Sequence, residues 1–131
     1  MLALISCLFT SAKFIFLLVG AEKFIQESLT RLKTSTNAEK SLETADLVIE
    51  SVTENLELKQ KLFATYDQMA PAKTIFASNT SSLSIGAIAE ATPNRVDRFG
   101  GLHFFNPVAV MKLLEVIRTP NTSDDTFTVR F

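Results

Sequence analysis

The sequence predicts an α/β domain, the second half of a doubly wound and mostly parallel sheet. Two features carry that prediction. Leu47-Val48-Ile49 and Thr74-Ile75-Phe76-Ala77-Ser78 are short apolar runs without polar alternation, the pattern of strands covered on both faces. Around them lie segments whose apolar residues recur at helical spacing, so strands and helices alternate as in βαβ units with right-handed crossovers. At 131 residues, 47% hydrophobic and 21% charged, the chain is long enough for one buried core and too apolar for a disordered segment.

The elements follow in order. Phe24, Ile25, Leu29 and Leu32 predict a helix over 22–32. Thr34-Ser35-Thr36-Asn37 breaks it and supplies caps for a short helix near 38–44. After the strand at Leu47-Val48-Ile49, Leu62, Phe63, Tyr66 and Met69 make one stripe of a helix over 55–69. Ser51-Val52-Thr53-Glu54 has the form of a capping box for that helix. Pro71-Ala72-Lys73 ends it, and the strand over 74–78 follows. A short helix over 84–91 should turn Ile85 and Ile88 inward, closed by Thr92-Pro93-Asn94. Residues 98–105 and 113–117 read as two further strands. The series is that of a partial Rossmann-like domain, with no internal repeat and no low-complexity linker.

Residues 1–20 stand apart. They are strongly apolar, broken by Lys13 and a few small polar residues. A membrane-spanning helix needs ~20 apolar residues, and Lys13 near the middle is costly there. No basic region precedes the apolar run as in a secretory signal, and no Arg- and Ser-rich amphipathic pattern marks a transit peptide. The segment is read as an apolar leader of unclear role, first as an unrelated stretch joined to the domain at 21–131. A membrane partner is not expected.

The net charge is −1 with both signs interspersed, so no basic face argues for nucleic acid. The single cysteine, Cys7, excludes an internal disulfide framework and a multi-cysteine zinc site. No metal site is expected.

The chemistry concentrates around the chain's only histidine, His103, in Leu102-His103-Phe104-Phe105-Asn106-Pro107. Imidazole has an unperturbed pKa of ~6.5 and is the default general base, although a lone histidine is more often ordinary packing. Glu115 lies in the apolar run Leu113 to Ile117, a setting that favours a paired carboxylate over a solvated one. Asn79-Thr80-Ser81-Ser82 follows directly on a strand, where open α/β sheets bind ligands. The same residues could simply cap the next helix. In Asn106-Pro107 the proline restricts Asn106 to extended backbone, which can aim its amide into a cleft, while a plain turn is the simpler reading. Phe104 and Phe105 read as packing behind His103, and Lys112 as a surface lysine.

Taken together, Ser78-Asn79-Thr80-Ser81-Ser82-Leu83, Gly101 to Pro107 and Val110 to Ile117 resemble the L-3-hydroxyacyl-CoA dehydrogenases of fatty-acid β-oxidation, over about residues 21–127. The resemblance implies NAD-dependent oxidation of L-3-hydroxyacyl-CoA to 3-ketoacyl-CoA. His103 would be the base and Glu115 the carboxylate that orients it. Ser81 and Asn106 would hold the substrate, and Glu54, Lys59, Asn79, Ser81 and Asn106 would contact the cofactor. It further implies homodimers and the mitochondrial matrix. That family opens with a Gly-x-Gly-x-x-Gly turn that holds the dinucleotide pyrophosphate. Here the four glycines, at positions 20, 86, 100 and 101, do not form it. The chain therefore reads as an incomplete dehydrogenase with impaired activity. The rival readings are a non-catalytic truncated isoform or pseudoenzyme, and a related 3-hydroxybutyryl-CoA dehydrogenase.

Overall fold

The computed structural model describes residues 4–6 and 21–130. The rest of the apolar leader lies outside the described residues. Strand β1 (Leu4–Ser6) pairs antiparallel with β2 (Lys33–Ser35), and helix α1 (Ala21–Arg31) lies between them in sequence. Helix α1 matches the predicted segment, yet Phe24, Ile25, Leu29 and Leu32 remain about half exposed. The polar stretch read as a helix break and a source of caps also holds β2 at its start. Asn37 then caps α2 (Ala38–Leu42), its side chain accepting the Lys40 N–H at 3.0 Å.

The main sheet has four strands in sequential order, β3 (Leu47–Glu50), β4 (Ile75–Ser78), β5 (Phe99–Phe104) and β6 (Leu114–Arg118). The first three run parallel and β6 returns antiparallel on β5. Every residue of β4 is buried, as its unbroken apolar run requires. Helix α3 (Leu56–Met69) links β3 to β4. Helix α4 (Ile85–Ala89), capped by Ser84, leads through a short 3-10 turn into β5. Ile85 and Ile88 are buried as predicted. Helix α5 (Asp124–Arg130) was not legible, although the Ser123 hydroxyl accepts the Thr126 N–H at its start.

The core gathers Phe63, Phe76 and Phe99, fully buried, with ring centroids 4.8–6.4 Å apart. Two features of α3 correct the sequence reading. Its inward line is Lys59, Phe63, Tyr66 and Asp67, while Met69 is exposed. The line runs through two charged residues because both are paired. Lys59 meets Glu50 and Asp67 meets Arg95. The cap is also displaced from the predicted box. Asn55, not Ser51, accepts a first-turn N–H, from Leu58 at 2.9 Å, and Glu54 is drawn to partners across the sheet instead.

Buried Arg95 fastens the far end of α3. Its guanidinium bonds the Asp67 carboxylate and the carbonyls of Asp67, Ala70, Pro71 and Thr74, and lies 4.4 Å from the Phe76 ring centroid. A cation on the last carbonyls of a helix also complements its dipole.

Candidate active site at the carboxyl ends of the strands

The parallel strands end together near Glu50, Ser78 and Gly101, which the register aligns. The turn 79–82 and the end of β5 project beyond that line, where open α/β sheets hold ligands. Ser78 is the last β4 residue paired with β5. One step further, Asn79 takes over with its side chain. Its Oδ1 accepts the Phe104 N–H at 2.7 Å, and its Nδ2 donates to Ser51 Oγ at 3.1 Å. One amide thus ties the ends of three strands and sets His103 beside the turn.

His103 faces Glu115 directly across the antiparallel β5–β6 pair. Opposed residues in such a pair have Cβ atoms ~5 Å apart, close enough for their side chains to meet. His103 Nδ1 lies 2.8 Å from Glu115 Oε2. A carboxylate can only accept, so Nδ1 carries a hydrogen, and in the neutral imidazole Nε2 then keeps its lone pair. The His103 side chain is 17% exposed and that of Glu115 53%. The imidazole is shielded and its partner reaches solvent. Phe105 packs on the imidazole with centroids 4.6 Å apart, as the sequence suggested.

Glu54 gathers the turn. Its Oε1 accepts the Thr80 hydroxyl at 2.5 Å, the Ser81 N–H at 2.9 Å and the Ser81 hydroxyl at 3.4 Å. Lys59 Nζ lies 3.2 Å from its other oxygen. The Thr80 hydroxyl first, then the Ser81 N–H and Lys59, lower its pKa to about 2 against a desolvation that would raise it. Charge-assisted hydrogen bonds to a carboxylate favour its ionised form. Thr80 also caps the next turn by accepting the Leu83 N–H. Capping and site-building therefore coexist here.

The structure brings His103 and Glu115 together and joins Glu54, Lys59 and Ser81 in one connected group, while the Asn79 side chain bonds Ser51 and Phe104 instead. Asn106 is exposed, and among the described residues its amide has no hydrogen-bond partner. Residues 108, 110, 111 and 113 beyond it are exposed apolar side chains, and Lys112 is exposed as expected. Sequence reasoning missed Glu50, and it named Ser78 and Thr80 without giving either a role of its own. A charged residue closing an apolar strand run was the available signal for Glu50.

Residues 13–131 match the family described as 3-hydroxyacyl-CoA dehydrogenase, NAD binding domain. The mitochondrial hydroxyacyl-coenzyme A dehydrogenase of Rattus norvegicus is 56% identical over 108 residues, 82% of this chain and 34% of the relative. The Homo sapiens enzyme of the same name is 53% identical over 115 residues, 88% of this chain and 36% of the relative. The crystal structure of (S)-3-hydroxybutyryl-CoA dehydrogenase from Ralstonia eutropha superposes with a TM-score of 0.78 at 46% identity, over 83% of this chain and 38% of that one. The chain spans about a third of the length of the curated relatives it matches. It belongs to the NAD-binding-domain family of the 3-hydroxyacyl-CoA dehydrogenases.

Proposed function

We propose that these residues form the proton-transfer and nicotinamide side of an enzyme that oxidises an L-3-hydroxyacyl-CoA to the 3-ketoacyl-CoA. The observation that carries the reading is the 2.8 Å contact between His103 Nδ1 and Glu115. It leaves Nε2 as the base for the 3-hydroxyl proton. As that proton leaves, the oxygen's electron density forms the carbonyl and expels the C3 hydrogen as hydride. The cofactor, NAD, supplies the hydride acceptor when bound. Glu115 steadies the imidazolium that forms, as an aspartate does for the histidine of a serine-protease triad. The Ser81 hydroxyl, held loosely at 3.4 Å by Glu54, remains able to turn and donate to the substrate oxygen. Asn106 supplies a free amide near the reacting carbon.

The donor set fits the nicotinamide side. Ser81 and Glu54 are exposed polar groups, and Asn79 lines the same turn. The pyrophosphate side finds no fit within the sequence, because the four glycines form no Gly-x-Gly-x-x-Gly turn. On their own, the 131 residues are expected to turn over far more slowly than a full-length relative, since holding both reactants can be worth ~7–11 kcal/mol. A 3-hydroxybutyryl-CoA substrate is the alternative within the enzymatic reading, supported by the Ralstonia eutropha neighbour.

We further place the reaction in fatty-acid β-oxidation, with homodimers as the working form. The mitochondrial names of the two mammalian relatives support a mitochondrial location, and the matrix is the compartment inferred. No described helix is long and apolar enough to cross a membrane.

The test is reduction of acetoacetyl-CoA by NADH, followed through the loss of nicotinamide absorbance. Slow turnover proportional to protein and abolished by His103→Gln supports the enzymatic reading. Turnover indifferent to His103→Gln overturns the role of His103. No turnover in a folded sample favours the non-catalytic reading.

A further inference from the structure

Lys59, which the resemblance makes a cofactor contact, is tied to groups of its own chain. Its side chain is 1% exposed. Nζ lies 2.7 Å from Glu50 Oε1, 3.2 Å from Glu54 Oε2 and 3.1 Å from the Val52 carbonyl oxygen. Two of the ammonium's three hydrogens go to Glu50 and to the Val52 carbonyl, and its charge also faces Glu54.

We propose that Glu50 and Lys59 form a buried positioning pair that holds Glu54 against the turn 79–82 and so fixes Ser81. This rests on reading that turn as the nicotinamide side of the site. The Glu50 side chain is fully buried, 0% exposed. Beyond Lys59, it accepts the Val52 N–H on the same oxygen and the Ser78 hydroxyl, at 2.6 Å, on the other. Ser78 is its register partner on β4, and Ser78 Oγ in turn accepts the Thr80 N–H. Both Glu50 oxygens are thus bonded within the chain, and Glu50 fixes Lys59 at one point between two strand ends.

Lys59 then fixes Glu54. Two carboxylates share one ammonium, and of the two it is Glu54, 39% exposed, that meets the turn. Its oxygen facing away from Lys59 collects Thr80 and Ser81. The order of contacts runs from the buried strand end to the exposed hydroxyl: Glu50, Lys59, Glu54, Ser81. A buried ion pair is poor evidence for stability, because apolar groups of similar volume often serve as well. The geometry gives this one a positioning use.

The test separates positioning from folding. A variant carrying Glu50→Gln and Lys59→Met together removes both buried charges and leaves none uncompensated. In this variant the Glu54 carboxyl, titrated by carbon-13 NMR, should move upward by about one pH unit or more. The Ser81 amide should exchange faster with solvent, as expected where a local contact opens, and NADH affinity should fall about tenfold. Unchanged Glu54 titration and Ser81 exchange overturn the proposal. So does unchanged affinity with a loosened turn.

Should the double variant fail to fold, Glu54→Gln decides. It keeps the Glu50–Lys59 pair, and the Ser81 amide must still exchange faster, or Glu54 does not hold the turn. If the unmodified chain binds no NADH, the reading of the site fails. The titration and exchange results then still decide whether the pair positions Glu54.

Discussion

The Asn79 side-chain oxygen accepts the Phe104 N–H at 2.7 Å, so the turn after β4 is fastened to the residue next to His103. Backbone pairing between β4 and β5 has run out at that point, and the amide continues it. Asn79→Ala leaves a part-buried N–H without its partner, a loss of about 1–3 kcal/mol. The expected result is lower stability in urea, together with faster exchange of the Phe104 amide. Unchanged exchange there would mean that the turn and β5 are held by other contacts.

For His103, removal should affect chemistry and spare folding. General-base assistance is typically worth ~100- to 10,000-fold, and His103 sits at the rim of the sheet rather than in the phenylalanine core. His103→Gln should abolish detectable turnover while leaving the thermal midpoint nearly unchanged. Glu115→Gln should lower turnover less, because the imidazole remains but loses the partner that selects its tautomer.

Arg95 carries the opposite expectation. Arg95→Met leaves the Asp67 carboxylate buried and uncompensated, which costs about 3–5 kcal/mol. Arg95→Lys should not rescue the loss, since an ammonium cannot serve a carboxylate and four carbonyls spread around a planar fork. Chemical denaturation of both variants checks this.

Gly101 admits no side chain. A Cβ there would lie 2.9 Å from Ile85 Cδ1 and 3.0 Å from Ile117 Cβ, so α4 and β6 close over β5 only because the position is bare. Gly101→Ala should destabilise by about 1–3 kcal/mol. Adding Ile85→Val removes one clashing methyl, so the pair should lose less than the sum of the single changes. Additive losses would place the strain elsewhere.

Glu54 sets an acid dependence. Its pKa is lowered from 4.5 to about 2, so its contribution to stability is complete above about pH 4.5 and fades as the pH falls toward 2. Glu54→Gln lacks that contribution throughout. The stability gap between the two proteins should therefore be constant near neutrality and shrink on acidification. A gap that widens toward pH 2 would contradict the assignment. The effect is modest, because the group is partly solvated.

The centre of the main sheet was legible because β4 is a buried apolar run, and helices α3 and α4 because their periodicity is local. What escaped was set by distant partners. Glu54 matched a capping box, yet its bonds go to Thr80 and Ser81, about 26 residues away in sequence. Lys59 was read only as a cofactor contact and Asp67 was not singled out, and both are buried against Glu50 and Arg95. Met69 fitted the apolar stripe and is exposed, since those pairs fix the rotation of α3. The His103–Glu115 contact was anticipated from the resemblance, and its geometry follows from the β5–β6 register, which no single sequence prints.

The central claim is that the turn 79–82, with Glu54 behind it and His103 beside it, is the nicotinamide side of a cofactor site. Titration of the folded chain with NADH, followed by nicotinamide fluorescence, tests it most directly. The account predicts saturable binding, weak for want of a pyrophosphate turn, with a Kd of about 0.1–1 mM, and weaker still in Ser81→Ala. Fluorescence that does not change at millimolar NADH, or binding indifferent to Ser81→Ala, would contradict it.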